Sequence, residues 1–181
     1  MNFEELEIAC KNCQKCPLWR TRNRVVIERG SRTAKLMFVG EAPGQSEDEQ
    51  GLPFVGAAGQ LFDKYLAACG IDREEGYICN ILKCRPPHNR DPLPEEQDAC
   101  MDWLRTQVRL VKPQMIVCLG RISAMKLISP DFKITRDHGK FYERGSFTLC
   151  AVYHPSALLR DPSKKEETLA DMLEIARRME G

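Results

Sequence analysis

Four short apolar runs, each stopped by a turn-forming residue, constrain this chain more than any other feature. Lys35–Val39 (KLMFV) halts at Gly40, Tyr77–Leu82 and Met115–Leu119 are bounded by polar or glycine residues, and Phe147–Tyr153 ends at His154-Pro155. Such runs read as buried strands. Between them the apolar spacing changes to that of helices: Leu61, Phe62, Tyr65, Leu66 and Cys69 share one face, as do Trp103, Leu104, Val108 and Val111. A last helix carries Leu169, Met172, Leu173 and Ala176. Strands alternating with helices predict an α/β domain with a mainly parallel sheet covered on both faces. Ligands of such sheets bind at the carboxyl ends of the strands, which directs attention to the loops after Val39, Leu82 and Tyr153.

At 181 residues and 43% hydrophobic content, the chain suits one domain spanning 1–181. Its acidic opening, MNFEELEIAC, is unlike a secretory signal, and no apolar run reaches the length of a membrane span, so a cytoplasmic location is expected. A net charge of +1 is not that of a broadly basic nucleic-acid binder. The charge is uneven, however. From Lys11 to Lys35 eight basic residues face a single acid, Glu28, which fits either a local nucleic-acid footprint or an ordinary solvated face.

Nine cysteines make an odd count, ill suited to a disulfide framework in a reducing compartment. Cys13 and Cys16 form a CxxC, while Cys84 and Cys100 bracket a segment containing Pro86, Pro87, Pro92 and Pro94. Proline density predicts that this segment arches as a loop. Cysteine-only ligation at unequal spacing suits an iron-sulfur cluster, but spacing alone leaves zinc, a cluster or no metal open. Cys10 and Cys13 make a second CxxC. Cys16 is the preferred partner because Pro17 follows it and Cys10 ends a predicted helix. Cys69, Cys79, Cys118 and Cys150 fall on apolar faces, the ordinary place for structural thiols.

Five segments together carry a resemblance: CQKCPL (Cys13–Leu18), GEAPG (Gly40–Gly44), GLPFVGAAG (Gly51–Gly59), ICNILKCRPPHNRDPLPEE (Ile78–Glu96) and HPSALLR (His154–Arg160). In order and spacing the chain resembles the family 4 uracil-DNA glycosylases, the iron-sulfur branch of that superfamily. The resemblance implies a three-layer α/β/α sandwich with a central four-stranded parallel sheet. It also implies a four-iron four-sulfur (4Fe-4S) cluster on Cys13, Cys16, Cys84 and Cys100, and a monomeric, monofunctional repair enzyme acting on uracil in single- or double-stranded DNA.

Uracil excision requires a base flipped from the stack, a reader of its edge and stabilisation of the departing anion. By resemblance, His154 is a neutral donor to the uracil oxyanion at O2, and Asn80 reads N3 and O4, a pattern cytosine cannot match. Phe54 stacks on the base. Glu41 holds water or stabilises charge on the sugar, beside backbone groups at Ala42. Ala42 replaces the water-positioning aspartate of the best-known branch, which favours a largely dissociative path. Glu47 falls near the C5 edge of the base, where bulk rejects thymine. For DNA, Leu158 or Leu159 is expected to wedge into the duplex from an HPSALLR loop, with Ser156 and Arg160 on phosphate and Arg85 and Arg90 extending the contact. His88 invites comparison with a branch that traps the sugar covalently, but the basic insert of that branch is absent, so trapping is not expected. Two other readings compete: a zinc-bearing nucleic-acid module without activity, and the same fold acting on another altered base.

Overall fold

The computed structural model describes residues 1–180. A six-stranded sheet runs in the order β1-β3-β2-β4-β6-β5. Its centre comprises β2 (Leu36–Gly40), β3 (Tyr77–Asn80), β4 (Met115–Leu119) and β6 (Phe147–Val152), all parallel. These are the four runs expected from sequence. Two antiparallel edges were not anticipated: β1 (Arg29–Gly30) pairs with β3, and β5 (Phe141–Arg144) pairs with β6. The first is too short to show a period, and the second is half-exposed and charged.

The central strands are buried on both sides, except at the first two residues of β6, and their alternate side chains enter two different cores. Met37, Val39, Cys79, Ile116, Cys118 and Ala151 face a cluster that includes Leu6 of α1 (Phe3–Lys11) and Leu104 of α4 (Pro94–Val111). Leu36, Phe38, Ile78, Val117 and Val152 face Phe62, Leu158 and Ile175, which lie on α3 (Ala57–Ala68), α7 (Pro155–Arg160) and α8 (Lys165–Glu180). Period-two alternation on a sheet covered twice produces the three layers. Each large side chain so buried contributes roughly 1.5–3 kcal/mol through removal from water. Three short helices, α2 (Gln45–Gln50), α5 (Arg121–Leu127) and α6 (Ile134–Asp137), complete the set.

Two helical expectations need correction. On α8 the buried stripe is Thr168, Met172, Ile175 and Ala176, whereas Leu169 and Leu173 lie on its flank and remain exposed. The cysteine-bracketed segment is only partly loop, because Pro94 occupies the first turn of α4, where a missing N–H costs nothing, and Cys100 lies within that helix. No helix among the described residues is long and apolar enough to cross a membrane.

The sheet order places its switch point between β2 and β4, since the chain goes from β2 to β3 on one side and returns to β4 on the other. A crevice outside the carboxyl ends of the strands must open there.

Candidate active site

The crevice is a cavity of about 350 Å³, lined from four directions: Glu41 and Ala42 after β2, Asn80 at the end of β3, Asn89–Pro92 before α4, and His154 after β6. Phe54 closes one wall.

His154 is the N-cap of α7, and its Nδ1 accepts hydrogen bonds from the Ser156 backbone N–H at 3.0 Å and the Ser156 hydroxyl at 2.8 Å. An acceptor at Nδ1 places the proton of the neutral ring on Nε2. Burial, reinforced by the positive charge of Arg160, lowers the His154 pKa from its ordinary value to about 4. At neutral pH this ring is therefore an uncharged N–H donor. The Phe54 ring packs beside it, with centroids 5.7 Å apart and planes 31° from parallel.

Asn80 is 2% exposed, and its Oδ1 has no hydrogen-bond partner among the described residues. A buried amide oxygen left bare is costly unless a ligand completes it. The parallel register sets Asn80 beside Gly40, where any Cβ would collide with Asn80 Oδ1 and meet Phe54 Cζ at 2.6 Å. Glycine in GEAPG thus lets the reader and the aromatic wall approach the same space.

Phe54 holds a left-handed backbone with φ 55°, a strained state for an aromatic residue. Three features maintain it. Arg29 donates to the carbonyls of Pro53 and Phe54 at 3.1 and 3.2 Å, and Gly59 leaves room for the Phe54 carbonyl where any side chain would clash. Glu47 accepts from the N–H groups of Gly44, Val55 and Gly56 at 3.0, 2.9 and 2.8 Å. Glu47 lines the cavity. Its carboxylate, however, is engaged in tying the loop after β2 to the Phe54 loop, a role invisible in the run EDE.

Glu41 reaches under the loop after β4. A Cβ on Gly120 would meet Glu41 Oε1 at 2.6 Å and His154 Cβ at 2.9 Å, so this glycine permits the two groups to converge. Burial raises the Glu41 pKa to about 6, opposed chiefly by a hydrogen bond from the Ile122 N–H. The carboxyl is thus ionised at neutral pH but close to its titration range. Nothing in the sequence signalled Gly120, Arg29 or Asn89 as parts of this site.

The second cluster lies across the sheet from Phe54. Cys10, Cys13, Cys16, Cys84 and Cys100 line one enclosed cavity with Arg22, Lys83 and Trp103. Sulfur acceptors there meet N–H donors: Trp103 Nε1 to Cys13 at 3.4 Å, Arg22 Nη1 to Cys84 at 3.4 Å and the Lys15 N–H to Cys13 at 3.5 Å. No three His, Cys, Asp or Glu side chains among the described residues close upon a single ion-sized point. An all-cysteine wall with N–H donors on the sulfurs of Cys13 and Cys84 has the donor chemistry that suits an iron-sulfur cluster. Cys10 is buried in the same wall, so proximity alone does not choose between it and Cys16.

Comparison with known proteins agrees with this architecture. Residues 27–177 match the family model described as the uracil DNA glycosylase superfamily. A type-4 uracil-DNA glycosylase of Archaeoglobus fulgidus is 45% identical over 172 residues, covering 91% of this chain and 86% of that one. Its counterpart from Pyrobaculum aerophilum is 42% identical over 180 residues, covering 95% and 92%. This chain belongs to the uracil DNA glycosylase superfamily, on its type-4 branch. Similarity to a type-5 uracil-DNA glycosylase of Pyrobaculum aerophilum is lower, 30% over 200 residues. The superfamily match begins at Ile27, beyond Cys10, Cys13 and Cys16, so three of the five cysteines of the wall lie outside the matched residues.

The residues expected to face DNA are placed unequally in this member of the superfamily. HPSALLR is a helix rather than a loop from Pro155 onward. Leu158 is 1% exposed and packed in the core, so it cannot wedge into a duplex, while Leu159 is 48% exposed. Ser156, expected on phosphate, has its N–H and hydroxyl turned to His154. Arg160 lines the cavity mouth. Arg85 donates to Asn89 Oδ1 at 2.7 Å, and both nitrogens of the Arg90 fork are clasped by Glu96 at 2.8 Å. Much of the basic stretch is engaged internally as well: Arg22 with Cys84, Arg29 with the Phe54 loop, Arg32 with Glu28 at 2.6 Å and Lys11 with Glu7 at 2.7 Å.

Proposed function

We propose that this chain, acting as a single cytoplasmic domain and as a monomer, flips uracil out of DNA and hydrolyses its N-glycosidic bond. The observation that carries the reading is the pairing of two groups across one cavity: a half-buried histidine whose hydrogen bonds force an Nε2–H donor, and a buried asparagine with a bare Oδ1. Asn80 accepts from uracil N3–H through Oδ1 and donates to O4 through Nδ2. Cytosine offers N3 and N4 with the opposite polarity and leaves both buried groups unmatched. Phe54 stacks on the extruded ring.

As the glycosidic bond lengthens, electron density moves from N1 into the uracil carbonyls. The Nε2–H of His154 donates to O2 more strongly at that stage than to the neutral base, which is selective stabilisation of the transition state. Glu41, ionised and close by, opposes the positive charge growing on the sugar and orients the water that completes hydrolysis. The family of relatives named above supports this reading, since its type-4 members carry the activity in their names.

Cys13, Cys16, Cys84 and Cys100 are the ligands we assign to a 4Fe-4S cluster. Bound there, such a cluster would supply a rigid, multivalent tie. Its ligands would come from the segment after α1, the end of the apolar stretch after β3, and α4, so it would hold in place the loop that carries the cavity-lining Pro86 and Asn89–Pro92. Arg160 and Leu159 form the DNA-facing edge together with Arg85.

The deciding measurement is single-turnover excision on a panel of oligonucleotides, each carrying one altered base, with visible spectroscopy of the same preparation. Uracil should be released far faster than thymine, cytosine or hypoxanthine by a brown protein. Preferential release of another base would overturn the substrate, and a colourless, zinc-bearing protein would overturn the cluster.

A further inference from the structure

Lys83 is the least expected side chain in the molecule. It is 1% exposed, among the largest fully buried side chains, and its Nζ donates to the backbone carbonyl of Asn80 at 2.6 Å. No carboxylate is among its hydrogen-bond partners in the described residues, although an ammonium offers three donors. Burying an unpaired ammonium costs several kcal/mol in a real protein. Something anionic must face it.

Its surroundings identify that partner. Lys83 lines the same enclosed cavity as the five cysteines, and its positive charge acts on Cys10, Cys79 and Cys100. Its carbonyl accepts from the Val26 N–H at 2.8 Å, and the next residue along the chain is Cys84. Lys83 therefore has its main chain in the cysteine wall and its ammonium at the root of Asn80. A cluster ligated by four thiolates carries net negative charge, and that charge together with nearby hydrogen bonds sets its potential.

We infer that Lys83 is the counter-cation of the cysteine-bound cluster and, through its bond to the Asn80 carbonyl, the residue that couples cluster occupancy to the position of the uracil-reading amide. This rests on the cluster assignment proposed above. Lys83 touches neither base nor sugar and is a positioning residue. With the cluster bound, the ammonium is neutralised in place and fixes the end of β3. Without it, the charge has reason to seek water, and Asn80 loses its support.

The test uses the iron-sulfur-loaded protein and three substitutions: Lys83→Met, which keeps length without charge, Lys83→Gln, which keeps a donor without charge, and Lys83→Arg, which keeps charge. Two readouts other than turnover are taken: the midpoint potential of the cluster, and inhibition by free uracil, which reports recognition of the base without DNA. Met and Gln should both shift the potential to more negative values, whereas Arg should stay near the parent. Free-uracil affinity should fall roughly tenfold in Met, as for loss of a hydrogen bond from a charged donor, and recover partly in Gln. Affinity for DNA bearing an uncleavable abasic site should not change.

Parent-like potential in both Gln and Met would overturn the counter-cation role, and parent-like uracil affinity in Met would overturn the coupling. If Met fails to fold, the Gln and Arg pair still decides: equal potentials sink the inference. A colourless parent protein would instead remove the cluster assignment itself, before any variant is compared.

Discussion

The two polar clusters of this molecule are built on opposite terms. The crevice keeps polar groups unfinished: Asn80 Oδ1 is bare, and the second ring nitrogen of the cavity-lining His154 makes no hydrogen bond within the described residues once Ser156 has taken the first. The cysteine cavity is prepared from all sides, with Cys13 and Cys84 accepting from N–H groups of Trp103, Arg22 and Lys15 and the Lys83 ammonium set in the same wall. A site that must bind and release a ligand retains unmatched groups, at a cost in stability. A site that holds a permanent group is closed around it. Substitutions in the first should therefore alter chemistry while sparing the fold, and substitutions in the second should do the reverse.

The largest expected effect is on the chemical step. His154→Ala removes a donor whose bond strengthens as uracil gains charge, and should slow single-turnover excision by about a hundred- to a thousandfold. Affinity for uncleavable uracil-containing DNA should change far less, because phosphate contacts dominate binding. The Ser156 hydrogen bonds sharpen this: Ser156→Ala keeps the backbone N–H on Nδ1 and should lose only a small part of the rate. An unchanged rate with lost affinity in His154→Ala would mean that the ring only positions DNA.

The converse belongs to the cysteine cavity. Cys84→Ala should abolish visible absorption and lower the thermal midpoint by on the order of 10 °C, given about 2–4 °C per kcal/mol for a chain of this size. Cys118→Ala, equally buried but in the strand core, should cost only packing, roughly 1–2 kcal/mol, with colour intact. Bleaching by Cys10→Ala together with retained colour in Cys16→Ala would reassign one ligand to the buried thiol that lines the same wall.

How far these two regions could be read beforehand differs for physical reasons. The four central strands, their burial on both faces and the loops that matter were legible, because alternation and abrupt glycine or proline stops are properties of short contiguous segments. His154, Asn80, Phe54, Glu41 and Ala42 were all placed in the crevice by motifs in register, and the structure brings them together. What the chain order could not convey was side-chain commitment. Glu47 looked like one acid of three but bridges two loops, Arg90 looked free but is held by Glu96, and Leu158 and Leu159 are indistinguishable until the helix phase separates them. The bare residues Gly120 and Gly40 matter through space that a Cβ would fill, which only neighbours distant in sequence reveal.

Acid titration offers a finer contrast within the crevice. Burial lifts Glu41 to about 6, while His154, lowered to about 4, stays neutral above that. Excision should therefore rise with pH through about 6, by close to tenfold per unit below it, then level off without a second inflection toward pH 8. Glu41→Gln should flatten that rise. The stability sign is opposite: between the ordinary value of 4.5 and about 6 the folded state binds more protons than the unfolded, so folding stability falls as pH rises through that window. Glu41→Gln should accordingly be more stable than the parent at pH 7. A parent-like inflection in Glu41→Gln would assign it to another group.

The smallest effect tests the DNA-facing edge. Successive residues on a helix point about 100° apart, given 3.6 residues per turn, so in α7 Leu158 enters the core and Leu159 faces solvent. A wedge is needed only where a partner strand holds the base in the stack, because unstacking and unpairing cost a few kcal/mol in duplex and little in single strands. Leu159→Ala should therefore reduce excision from duplex DNA by roughly three- to tenfold, a loss of about 1 kcal/mol on the free-energy scale, and leave single-stranded substrate unaffected. Leu158→Ala should behave differently, destabilising the fold by about 2–5 kcal/mol as a buried leucine truncation does and lowering activity on both substrates alike. Stability measured by denaturant and excision measured on matched single- and double-stranded oligonucleotides separate the two. Equal loss on both substrates in Leu159→Ala would show that this leucine supports α7, not the extrusion of the base.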